Sequence, residues 1–141
     1  MDIQCLDGDI MLYRGESMLK KMIIHQLTKL RVSHSMPGRI RFKMSSLKMI
    51  PEQYMTYEKF LEQAIKKLNG VKNIEINNVT GSILIVYDIN KLYEKKLLNW
   101  IDIVREIGIK NYDLIEKYGE SNLNYVVKTI EQQLDENLKT I

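Results

Sequence analysis

The sequence predicts an α+β fold, a ferredoxin-like β-α-β-β-α-β sandwich with an additional helix at each end. Three observations carry that expectation. Residues 39–44 alternate strictly: Ile40, Phe42 and Met44 fall on one side, Arg39, Arg41 and Lys43 on the other, the period of a half-buried strand. Tyr57, Phe60, Leu61, Ala64, Ile65 and Leu68 recur at the three- and four-residue spacing of an amphipathic helix. Two strand-like runs, 71–77 and 83–87, flank the short turn Asn78-Val79-Thr80-Gly81, which together make a hairpin signature.

In chain order, residues 1–30 form an N-terminal extension. Asp7-Gly8-Asp9 marks a turn, and residues 16–30 read as an amphipathic helix. Its apolar face is Leu19, Met22, Ile23, Leu27 and Leu30, with Lys20, Lys21 and Lys29 off that face. Such a basic helix either covers a neighbouring core, the commoner arrangement, or lies on an anionic membrane surface. The main domain is expected over residues 31–118. Its first strand begins near Leu30 or Arg39 and runs to Met44, around a turn in which Pro37 fixes φ and Gly38 admits the conformation a tight turn requires. Pro51 marks entry to the helix whose clear part is 56–68, and Asn69-Gly70 ends it. The run Ile83-Leu84-Ile85-Val86-Tyr87 is apolar on both faces, so its strand should be central. Asp88 or Asn90 caps a helix over 91–107 with the stripe Tyr93, Leu97, Trp100, Ile101 and Val104. Gly108 should stop that helix, and 109–118 reads as a last strand.

Residues 119–141 hold a final helix beginning at Ser121. Leu123, Val126, Val127, Ile130, Leu134, Leu138 and Ile141 mark one face, too regular to be left in water. The ferredoxin-like unit is expected to be closed by its own two helices. This stripe is therefore expected to pack back on the N-terminal helix or to make a homodimer through 121–141.

The 141 residues, 45% hydrophobic and 28% charged, suit one domain of ordinary globular composition. A single cysteine, Cys5, excludes an intramolecular disulfide and a Cys-x-x-Cys zinc site. No secretory leader or spanning apolar run is present, so a cytoplasmic protein is expected, peripherally associated with a membrane compartment at most. The net charge of +3 hides an asymmetry: residues 14–50 hold nine Lys/Arg against one acid, Glu16. Charge concentrated in this way favours anionic partners. Arg39, Arg41 and Lys43, supported by the Pro37-Gly38 turn, are the candidate anion- or partner-binding residues, although cations on a half-buried strand often do no more than face water. No Ser-His-Asp order, Gly-rich phosphate loop, paired-carboxylate motif or His-Glu-x-x-His segment occurs, so no enzyme is expected.

The segment His34-x-Met36-Pro37-Gly38-Arg39-Ile40-Arg41-Phe42 is followed by Leu68-Asn69-Gly70-Val71 and then by Asn78-Val79-Thr80-Gly81-Ser82-Ile83-Leu84-Ile85-x-Tyr87. Over residues 31–108 this pattern resembles the cysteine-less branch of heavy-metal-associated domains, found at the N-termini of some metal-transporting P-type ATPases and in small companion proteins. The arginine-rich Pro-Gly-Arg-x-Arg motif also resembles that of proteins of ferrosomes, membrane-bounded iron-storing compartments of anaerobic bacteria. The resemblance implies an accessory role in metal handling, iron above all, with a metal-transporting P-type ATPase or an iron-storage compartment as partner. It departs from the metal-carrying members in one respect. Their loop after the first strand holds a soft ion with two thiolates, and here that loop has no cysteine. Direct binding of iron, another metal or haem would fall to His34 and Met36, with Cys5, His25 and Met44 candidates by residue type only. Nucleic acid is the alternative partner for a basic sheet face. The sequence carries no aromatic signature of an RNA-recognition domain, and Tyr87 would stack on a base only if its strand turned it to the open face.

Overall fold

The computed structural model describes residues 29–44 and 57–141. The turn at 7–9, the helix over 16–30 up to its last two residues, Cys5, His25 and Pro51 lie outside the described residues.

Among the described residues eight elements follow in order: β1 (Arg31–Met36), β2 (Arg39–Lys43), α1 (Tyr57–Lys66), β3 (Val71–Asn77), β4 (Ser82–Tyr87), α2 (Glu94–Lys110), α3 (Tyr112–Tyr118) and α4 (Leu123–Leu138). The strands form one antiparallel sheet in the order β1-β2-β4-β3. β4 is central, as its two-faced apolar character predicts. β2 and β3 each run antiparallel to β4 and so parallel to one another, joined through α1. That split unit is the part of the expected topology that stands.

Two features differ from it. The first strand is a hairpin, not a single strand. β1 and β2 are joined by Pro37-Gly38, with Gly38 at φ +79°. Proline before a glycine of positive φ is the order a type II turn requires. A Cβ on Gly38 would meet the Tyr87 carbonyl at 3.1 Å, and the Tyr87 N–H donates to the Gly38 carbonyl at 2.9 Å. The turn is thus clamped onto the end of the central strand.

The second difference is at 109–118, where the chain is helical. α2 runs through Gly108 to Lys110, and α3 follows at once. Glycine inside a helix costs only about 1 kcal/mol against alanine. Here the apolar stripe continues past it, with Ile107 and Ile109 both buried. Asn111 then turns the chain: its side-chain amide donates to the Ile107 carbonyl and to Gln133 of α4, each at 2.8 Å. Tyr112 and Glu116 bond one turn apart along α3 at 2.9 Å. The sheet edge that a last strand would have taken is held by β1.

The core lies between one face of the sheet and the helices. Ile40, Phe42, Ile83, Ile85 and Ile74 meet Ile65, Leu68, Leu97, Trp100 and Ile101. Trp100 is fully buried and its indole N–H donates to the Ala64 carbonyl at 3.0 Å, tying α2 to α1. Part of the apolar stripe of α4 packs on its own chain: Val126 and Leu134 are buried, and Ile130, Leu138 and Ile141 pack against the core, while Leu123 and Val127 stay half-exposed. Asn122 caps the helix by accepting the Tyr125 N–H. Lys67, just after α1, bonds Asp135 of α4 at 2.9 Å and lies 3.6 Å from Glu131.

Candidate functional site: the basic open face of the sheet

Strand alternation sends successive side chains to opposite faces, and cross-strand partners share a face. Ile40 and Phe42 are buried under the helices, so their neighbours Arg39, Arg41 and Lys43 occupy the helix-free side. Arg39 and Lys43 are exposed and Arg41 is half-buried, the alternation the sequence predicts.

Register extends this face across all four strands. Met36, Arg39, Val86 and Asn73 form one row, and His34, Arg41, Leu84 and Glu75 form the next. Arg31, Lys43, Ser82 and Asn77 form the third. The β1–β2 half is therefore cationic, the centre holds half-buried Leu84 and Val86, and the far edge carries Glu75 between two asparagines. Arg31 stands directly across from Lys43. Like charges opposite each other across strands destabilise the pair by roughly 0.2–1 kcal/mol. Among the described residues none of Arg31, Arg39, Arg41 and Lys43 is in an ion pair. An anion set on this face removes the repulsion, and a guanidinium grips a carboxylate or phosphate through two parallel hydrogen bonds.

His34 and Met36 also fall on this face, both exposed, beside Arg41 and Arg39 in register. Met44 does not join them, because it packs against the core on the helix side. Tyr87 is buried on the helix side as well, and offers no stacking surface on the open face. Arg31 is the site residue that sequence reasoning missed. The signal for it was the Pro-Gly turn, which pairs the residues before it with those after it and carries Arg31 to Lys43.

The model of the heavy metal associated domain 2 family matches residues 13–140. The chain belongs to that family. The match runs past the 31–108 span of the resemblance at both ends and takes in α3 and nearly all that follows it. No curated protein and no solved structure matches the chain.

For this heavy-metal-associated domain, the donor set does not fit a thiolate-held soft ion. Its one cysteine is Cys5, and the stretch between β2 and α1 contains none. Among the described residues no cluster of three or more His, Cys, Asp or Glu side chains is arranged to hold a metal.

Proposed function

We propose that this protein is a non-catalytic accessory of metal handling, iron above all, whose arginine-rich open face docks it on an acidic partner. The partner class that fits the family and the motif is a metal-transporting P-type ATPase or the surface of a ferrosome-type iron-storing compartment. One observation carries the reading: Arg31, Arg39, Arg41 and Lys43 share a helix-free face, and among the described residues none of them is in an ion pair. Family membership supports the metal-handling half of the proposal. The absence of a thiolate pair argues for recognition over transport of a soft ion by this chain itself.

Among the described residues no helix is long and apolar enough to cross a membrane; in this reading, attachment at a membrane compartment runs through the cationic face. Fluorescent tagging of the full chain in its native cell, with and without iron, tests the proposal. The tag should gather at discrete compartments in an iron-dependent way, and Arg39→Ala with Arg41→Ala should disperse it.

A second reading rests on His34 and Met36, which share the same face two residues apart. Imidazole and thioether are both competent haem or metal ligands. Elemental analysis of the purified protein decides between them: one tightly held ion, kept after Cys5→Ser and lost after His34→Ala, would move this reading to the front.

A further inference from the structure

We infer that the outer edge of β1 takes up an extended segment of the partner as an additional strand, one that alternates acidic and apolar residues. The inference rests on the acidic-partner reading above and specifies how that partner is held.

β1 is the edge of the sheet, paired on one side only among the described residues, and all six of its residues are exposed. An edge strand of this kind offers a row of backbone donors and acceptors to another chain. What it would select is written on its two sides. On the open side lie Arg31, His34 and Met36, backed by Arg39, Arg41 and Lys43 of β2. On the helix side lie Val32 and Ser35, in register with the buried Phe42 and Ile40. There Ser35 bonds the Glu94 carboxylate at the start of α2, and further along the helix the two elements part. A cleft of about 330 Å³ runs between them, lined by Leu30, Val32, Phe42, Leu98 and Ile101, with Lys29 and the Asp102–Arg105 pair (2.6 Å) at its rim. Val32 stays 49% exposed beside it. A strand laid along β1 sends alternate side chains to opposite faces. One set would enter this cleft against Val32, Leu98 and Ile101, and the other would cross the cationic face. A sequence alternating valine-like and acidic residues satisfies both at once.

A second copy of this chain fails the charge requirement. Antiparallel pairing of β1 with itself would set Arg31 and His34 of each copy on one face, beside the other cations. A phosphate or lipid surface would use the cations and leave the cleft and the strand edge idle.

Calorimetric titration of the full chain tests this with three synthetic peptides: one alternating Glu and Val, the same peptide N-methylated on consecutive amides, and one with Lys in place of Glu. Methylation keeps the charges and removes strand pairing from either edge. The Glu/Val peptide should bind, and the Lys peptide should not. The methylated peptide should bind at least about tenfold more weakly, since two or more net backbone hydrogen bonds are lost. Val32→Asp, at an exposed position, should weaken the Glu/Val peptide alone. Equal affinity for the methylated peptide, with both abolished by Arg39→Ala/Arg41→Ala, overturns strand addition and leaves the acidic-partner reading standing. No binding of either acidic peptide, or binding indifferent to the arginine substitutions, overturns both. Displacement of the Glu/Val peptide by phosphatidylglycerol vesicles, with methylation without effect, overturns the assignment to a protein segment.

Discussion

Leu134→Ala tests whether α4 is a covering element of its own domain. Leu134 is 2% exposed and belongs to the continuous core cluster, so truncation removes apolar contacts and leaves a void. Buried leucine truncations cost about 2–5 kcal/mol, the cost rising with the cavity that remains. Leu134 lines a shallow groove of about 70 Å³ with Phe60, Ala64 and Ile130, where neighbours have room to relax. The lower half of the range is therefore expected, about 2–3 kcal/mol, or a fall in melting temperature of about 5–10 °C for a chain of this size. Trp100, the single tryptophan and fully buried, reports urea unfolding by its fluorescence. The midpoint should fall with the slope unchanged, and light scattering should give one mass for wild type and variant across concentration. A loss under about 0.5 kcal/mol, the range of a surface change, would refute the packing argument. A midpoint that rises with protein concentration would show that the stripe also joins two copies.

Three further outcomes follow from the same contacts. Gly70→Ala should destabilise more than Gly38→Ala: both have positive φ, but a Cβ on Gly70 comes within 2.7 Å of the Leu92 Cβ, while that on Gly38 meets the Tyr87 carbonyl at 3.1 Å. Each should cost at least about 1–2 kcal/mol, and the reverse order in urea unfolding would refute the ranking. Trp100→Phe should cost about 1–3 kcal/mol for the Ala64 carbonyl left without its donor, and more for the void; differential scanning calorimetry checks it. The hydrogen bond to Asp135, aided by the charges of Asp135 and Glu131 and opposed by burial, holds the Lys67 ammonium above its ordinary pKa of 10.5. A raised pKa means that this stabilisation is complete below about pH 10 and fades as pH climbs through the folded-state value. With Asp135 and Glu131 57% and 52% exposed, the difference between wild type and Lys67→Gln should stay under about 1 kcal/mol and vanish in strong alkali.

The parts legible in the sequence are those with a strong period. β2, α1, β3, β4 and the stripe of α4 each bury one face or both, and burial writes alternation or helical spacing into the residues. β1 left no such trace. Exposed on both sides at a sheet edge, Arg31-Val32-Ser33-His34-Ser35-Met36 has no apolar face to announce it. Residues 109–118 read as a strand because Ile109, Leu114 and Ile115 suit a short strand as well as a helix once Gly108 is taken as a stop. Packing of Ile107 and Ile109, and the Asn111–Gln133 contact with distant α4, decided for helix. The site followed the same rule. Arg39, Arg41 and Lys43 could be placed from alternation alone. Arg31, and the shared face of His34 and Met36, depended on a hairpin register that no single strand's pattern contains.

The most direct measurement for the central claim is cosedimentation of the tagged full chain with the metal-handling membrane fraction of its native cell, for wild type and for Arg39→Ala/Arg41→Ala. Both arginines point away from the core, so the substitutions should each shift stability by no more than about 0.5–1 kcal/mol, read by thermal unfolding. The wild type should sediment with that fraction, less so as salt rises, and the variant should remain in the supernatant while unfolding cooperatively near the wild-type temperature. A folded variant that sediments like the wild type would contradict the account.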